Sequence, residues 1–215
     1  MPQMDLQPDT VSRTKVIAAS GSFQIELMER AGVKDYPILI KISQSLSEEY
    51  GTKAVLTLNT IQTYFNREGS MPFIARHQGD IIGYIIGVPI ESLSQEPWAR
   101  IDENFGKNNT LYTYAFVIQS QYQGNGYAKM LKRVYLNWAK KRKDIQYITG
   151  HVKSGISSRF TGEIRIVDRV ENWQGTGKEF EYYRRDLDPD RTYAAQTDPP
   201  RSEEHTSELQ SRETI

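Results

Sequence analysis

The stretch Thr113–Lys132, TYAFVIQSQYQGNGYAKMLK, decides how this chain is read. Its apolar alternation up to Ile118 predicts a strand, Gln121-x-x-Gly124-x-Gly126 predicts a turn, and a helix begins at once after it. Such a junction aims several backbone N–H groups at one point, the means by which a fold grips a pyrophosphate without committing side chains.

Outward from this segment, Tyr127, Met130, Leu131, Val134, Tyr135 and Trp138 form one face of a helix running to Lys143. Lys140, Lys141, Arg142 and Lys143 crowd its C-terminal end, where the helix dipole favours cations; contact with acidic phosphate groups or a partner is the alternative. Ile145–Val152 reads as a strand parallel to Leu111–Ile118. Upstream lie a strand over Ser22–Arg30, helices over Asp35–Tyr50 and Thr57–Arg67, and strands over Met71–Arg76 and Asp80–Pro89 joined through His77–Gly79. Ile90–Asn109 is a long connection, either a short helix or a functional loop. Downstream, Glu163–Val170 and Lys178–Asp186 form a final antiparallel pair joined through Asn172–Gly177.

At 215 residues the chain holds one well-cored domain with room for a small appendage. Lys+Arg and Asp+Glu balance at 27 each, so charge gives no reason to expect nucleic acid or a membrane surface as partner. The absence of cysteine removes disulfides, thiol catalysis and thiolate metal sites. Histidines 77, 151 and 205 are too dispersed for a metal motif, and no metal is expected. No apolar run is long enough for a membrane span and no signal pattern opens the chain, so a cytoplasmic location is the expectation.

Arg201–Ser211, RSEEHTSELQS, resembles the in-frame translation of a common sequencing-library adapter over all eleven residues. Residues 201–215 are therefore read as a non-native tail, which leaves open whether the native C-terminus is present. Without them 25 basic and 23 acidic residues remain, a formal charge of +2.

Three other readings of Gln121–Tyr127 compete. A dinucleotide fingerprint requires a small residue at 129, where Lys stands, and its acidic partner would be Asp144 at the end of a basic helix. A nucleotide-triphosphate loop requires GK[ST], absent here; Gly175–Lys178 is followed by Glu179 and fails as well. A glycine-rich turn with no ligand is the third. QYQGNGYA instead resembles the acyl-CoA signature [QR]-x-x-G-x-[GA] of the GCN5-related N-acetyltransferase (GNAT) superfamily, matched by Gln121, Gly124 and Gly126. The order of elements resembles that family as well, over roughly residues 22–187.

The resemblance implies an α/β fold: a GNAT-like mixed, mostly antiparallel sheet flanked by helices, with a splayed parallel strand pair at the centre. It divides the chain into a leader or accessory strand (1–21), an acyl-CoA N-acyltransferase domain (22–187), a flexible tail (188–200) and the adapter-like tail (201–215). It implies acetyl-CoA as co-substrate. Backbone N–H groups at Gln123, Gly124, Asn125, Gly126, Tyr127 and Ala128 would wrap the pyrophosphate, with Gln121 opening the turn. Phe116, Val117 and Ile118 would pair with the pantetheine arm, and the Val117 amide would polarise the thioester carbonyl.

The implied activity is an acyltransferase of the EC 2.3.1 type that passes an acetyl group directly to an amine of a small molecule or peptide within a ternary complex. A tyrosine after the sixth strand commonly protonates the leaving thiolate in this family. Here Lys153–Gly162, KSGISSRFTG, presents Phe160 instead. Tyr112 and Tyr114, which share a strand face, are the alternative catalytic hydroxyls or packing aromatics. His151 is a proton shuttle or a structural histidine. Asp102 and Glu103 are candidates to attract a cationic amine. The missing tyrosine leaves open a non-catalytic acyl-CoA sensor or protein-interaction module on the same scaffold. A third reading is an imperfect gene product whose folding is compromised by its tail. Monomer and homodimer both remain open.

Overall fold

A computed structural model describes residues 9–188. The tail expectations at 201–215, and nearly all of those at 188–200, lie outside the described residues.

The chain opens with a hairpin of β1 (Arg13–Ser20) and β2 (Phe23–Arg30) that turns through Gly21 at φ +58°. Strand β1 extends the sheet by one antiparallel member. Helices α1 (Tyr36–Ser43) and α2 (Ser47–Tyr50) follow, split by a 3-10 turn at Gln44–Leu46. Helix α3 (Leu58–Phe65) starts at Thr57, whose side chain accepts from the Thr60 N–H while the Thr60 hydroxyl caps the Thr57 N–H. Strands β3 (Met71–His77) and β4 (Asp80–Pro89) make the next hairpin. The long connection contains helix α4 (Pro97–Arg100), and β5 (Thr110–Ile118) leads through the glycine turn into α5 (Tyr127–Lys141). Strands β6 (Tyr147–Lys153), β7 (Ile164–Val170) and β8 (Phe180–Asp186) complete the sheet.

All eight strands lie in one sheet, ordered β1-β2-β3-β4-β5-β6-β8-β7. Every neighbouring pair is antiparallel except β5 with β6. Each face carries its own core. On one, Leu39, Ile42, Ile61 and Phe65 of α1 and α3 cover Ile74, Tyr84 and Ile86. On the other, Leu131, Tyr135 and Ala139 of α5 cover Phe73, Ile85, Leu111 and Ile148. Strands β3 and β4 feed both cores, so they read as continuous apolar runs, whereas the outer strand β7 is largely exposed.

The long connection is fixed from below. Asp102, with a fully buried side chain, receives both oxygens' bonds from Arg184 Nη2 at 2.8 Å and a 2.6 Å bond from the Tyr182 hydroxyl. Glu103 also pairs with Arg184 and with Arg165. These two acids therefore clamp the connection to β8 and do not face an incoming amine, which corrects the expectation for them. Their pairing with arginines 60 or more residues away was not legible in the spacing. Replacing Asp102 by Ala leaves the buried Arg184 guanidinium with only the exposed Glu103 as its carboxylate, and the expected loss is about 3 kcal/mol of unfolding free energy in a urea titration. A loss below about 1 kcal/mol would show that the clamp is solvated.

Candidate active site

Strands β5 and β6 pair only at Thr110–Tyr147, Leu111–Ile148 and Tyr112–Thr149. Beyond Tyr112 the two strands separate, while β4 accompanies β5 as far as Ile118 and β8 accompanies all of β6. A V-shaped gap therefore opens inside the sheet between 113–118 and 150–153. A β-bulge sharpens it: Gly87 faces Thr113 and Ile86 faces Ala115, leaving Tyr114 as the extra residue. In consequence Tyr112, Tyr114, Ala115 and Val117 pack on the α1 face, and Leu111, Phe116 and Ile118 on the α5 face. Thr113 joins the α5 face through its bond to Tyr135.

Main-chain directions follow from the same register. The Gln119 N–H donates to the Ile82 carbonyl, so alternation turns the Val117 N–H toward Tyr84 of β4. The N–H groups of Phe116 and Ile118 face the gap instead. The Ile118 carbonyl on that side accepts from Gln123 Nε2 at 3.3 Å. Any backbone donor offered to a ligand in the gap thus comes from the neighbours of Val117.

The glycine turn stands open at the mouth of the gap, with Gln121, Gln123, Gly124, Asn125, Gly126 and Ala128 all exposed. Gly124 and Gly126 adopt φ of +81° and +77°, a region that L side chains strain to reach, and a Cβ at either would point into open space. Asn125 Nδ2 braces the turn against the Tyr122 and Gln123 carbonyls at 3.2 and 3.3 Å. Gln121 bonds to Gln119. No side chain caps α5 and no acid sits in its first turn, so its leading N–H groups and positive dipole end are available to an anion. Tyr127 stacks on Phe23 at 4.2 Å and anchors that helix start to β2.

A cavity of about 190 Å³ runs through the gap and is lined from both faces. On the α1 side its walls are Tyr50, Tyr64, Trp98, Tyr112, Tyr114 and Trp173, with Glu96 as the carboxylate and Lys53 nearby. The Tyr64 and Tyr114 rings pack at a tilt with centroids 4.3 Å apart, and burial together with Glu96 raises both phenol pKa values. The sequence singled out the connection that carries Glu96 but not this residue; Pro97 and the turn into α4 aim it inward. On the α5 side lie Thr113, Lys132, Tyr135, Phe160, Tyr183 and Arg185. Lys132 Nζ sits 3.5 Å from the Phe160 ring centre, and burial followed by repulsion from Arg185 lowers its pKa to about 8. Tyr183 lies on β8, a strand enclosed by β6 and β7.

His151 and Tyr112 are brought together at the base of the α1 side. Tyr112 Oη lies 3.0 Å from His151 Nδ1, and the imidazole is sandwiched between Trp173 at 3.7 Å and Tyr182 at 4.7 Å. Burial depresses the imidazole pKa to about 3 and pushes the Tyr112 phenol well up. Both groups are therefore neutral at physiological pH, and such an imidazole is a weak base. Its folded pKa lies below the unfolded value of 6.5, so the unfolded chain takes up the proton first and stability falls as pH drops from 6.5 toward 3. We expect the His151 ring protons to show no NMR titration above about pH 4, and His151→Phe to flatten the acid-side stability profile. A midpoint near pH 6 would show that the ring is hydrated.

Among the described residues no group of His, Cys, Asp and Glu could hold a metal ion, and no helix is long and apolar enough to cross a membrane. No curated protein matches the chain in sequence. Among solved structures, Arabidopsis thaliana NAA60 in complex with acetyl-CoA aligns with a TM-score of 0.56 at 14% identity, over 76% of this chain and 99% of that one. A spermidine N-acetyltransferase SpeG chimera from Vibrio cholerae and hSSAT aligns at 0.54 and 12% identity, over 78% and 97%. The ribosomal L7/L12 alpha-N-protein acetyltransferase RimL in complex with coenzyme A aligns at 0.52 and 14% identity, over 82% and 100%. These likenesses show the fold. The sequence model of the Acetyltransferase (GNAT) family matches residues 38–155, more than half of the chain. By that match the chain belongs to the GNAT family of acetyltransferases.

Proposed function

We propose that this protein transfers an acetyl group from acetyl-CoA directly to an amine. The observation that carries the reading is the interrupted pairing of β5 and β6, which leaves an extended strand edge beside an anion-binding helix start. The pyrophosphate sits on the turn Gln123–Ala128 and the first N–H groups of α5. The pantetheine arm lies in the gap, where its amides take up the edge that β6 has left, meeting the Phe116 and Ile118 main chain. An amide donor there polarises the thioester carbonyl and stabilises the oxyanion as the amine attacks. The NAA60 and RimL structures, which hold acetyl-CoA and coenzyme A, support the choice of ligand.

The amine enters from the α1 side. Tyr64, Tyr114 and Trp98 offer aromatic faces to a cation, and Glu96 draws it in and takes up its proton, directly or through water. Tyr114, displaced by the bulge toward that side, positions the acceptor, whereas Tyr112 is occupied with His151. A small-molecule or peptide amine suits this entrance. No cysteine is present to carry an acyl-enzyme, in keeping with direct transfer in a ternary complex.

Isothermal titration of the full chain with acetyl-CoA tests the reading, with Gly124→Glu as control. Micromolar binding is expected, lost in the variant because its carboxylate projects into the phosphate space. No binding by folded wild-type protein would overturn the proposal; binding with no turnover across a broad amine panel would favour an acyl-CoA sensor. We further expect Glu96→Gln to lower kcat/KM for a cationic amine by about 10-fold or more while acetyl-CoA affinity stays unchanged.

A further inference from the structure

Three hydroxyl groups meet on the α5 face at the apex of the gap. Thr113 is the first β5 residue past the last parallel pair, and its Oγ1 lies 3.3 Å from the Tyr135 hydroxyl. The Tyr183 phenol from β8 stands over Gly150, the β6 residue next in register to the Tyr112–Thr149 pair and so level with Thr113. Two glycines make the meeting possible. A Cβ at Gly87 of β4 would stand 2.5 Å from Tyr135 Oη, and a Cβ at Gly150 of β6 would stand 3.2 Å from Tyr183 Oη. Side chains on the two flanking strands would thus exclude the phenols from this spot. All three hydroxyl-bearing residues line the cavity.

The chemistry that must occur there needs a donor. A thioester seated at the apex of the gap would hold its sulfur within the cavity that these hydroxyls line, where Phe160 has no proton to give. The Tyr183 ring packs against Phe160 with centroids 5.1 Å apart. We propose that Tyr183 donates the proton to the departing CoA sulfur, with Thr113 and Tyr135 holding its hydroxyl and passing protons to it. This assignment rests on the acetyl-transfer reading above.

In the step the C–N bond forms, the C–S bond breaks, and the sulfur takes the phenolic proton as the thiolate departs. The phenolate recovers a proton from Thr113, which recovers one from Tyr135 and finally from water. The amine releases one proton and the sulfur gains one, so acetyl-CoA and the amine give the amide and free CoA. Burial raises the pKa of Tyr183, partly offset by Thr113 and Arg185, and the phenol stays protonated and able to donate across the physiological range. The other titratable groups on this side are Lys132 on α5 and Arg185 on β8, both without a hydroxyl at the apex.

The deciding experiment is a pH titration of the thiol of CoA bound to the full chain, followed by thiolate absorbance, in wild type, Tyr183→Phe and Lys132→Met. Donation by Tyr183 stabilises the thiolate, so its removal should raise the bound thiol's midpoint by about one pH unit or more, while CoA affinity is kept. Turnover of Tyr183→Phe should fall about 100-fold in kcat with the KM for acetyl-CoA unchanged. Adding Phe160→Tyr to that variant should restore part of the rate, since the new hydroxyl arises beside the lost one. An unchanged thiol midpoint in Tyr183→Phe, or a shift carried by Lys132→Met instead, would overturn the assignment and leave acetyl transfer standing. Failure of CoA to bind folded wild type would overturn acetyl transfer itself.

Discussion

Hydrogen bonding between β5 and β6 ends after three residue pairs, and most of the site is organised around that interruption. A sheet interior ordinarily leaves no main-chain donor or acceptor unpaired, because each costs free energy when it is removed from water. Here the unpaired edge is tolerated because it lines a cavity open to ligand and solvent. The two strands are held apart by what pairs on their far sides: β4 along β5, β8 along β6. The bulge at Tyr114 increases the local twist and keeps the gap from closing.

That separation divides the chemistry between the two faces of the sheet. The α1 face presents aromatic rings and Glu96, suited to a cationic amine. The α5 face presents hydroxyls, Lys132 and Arg185, suited to an electron-rich sulfur and to phosphate. His151, buried among Trp173, Tyr182 and Tyr112, belongs to the rigid floor between them. Rigidity there comes from ring packing and from the Asp102–Arg184 pair, which ties the long connection to β8. Positioning of Glu96 and Trp98 depends on that tie, since both lie on the same connection only a few residues before Asp102.

Much of the fold was legible because its signals are local. Apolar alternation marked β4 and β5, the 3.6-residue period marked α5, and glycines at positive φ marked the turn between them. The site was legible only where backbone carries the function. The turn at Gln123–Ala128 is shaped by its own glycines, but the gap-facing amides belong to Phe116 and Ile118, because strand parity is set by the β4 partner and not by β5 itself.

By itself, then, the sequence determined the strand–turn–helix junction, the order of elements and the family, since those depend on neighbours within a few positions. Only the tertiary structure decided which charges are free. Asp102 and Glu103 are consumed by Arg184, 80 or so residues away, while Glu96 is left facing the cavity. It also decided that Thr113, Tyr135 and Tyr183 line the same cavity, with the two phenols seated over Gly87 and Gly150 on two other strands. Such contacts arise from sheet register and packing between distant segments, and no pattern within a single segment encodes them.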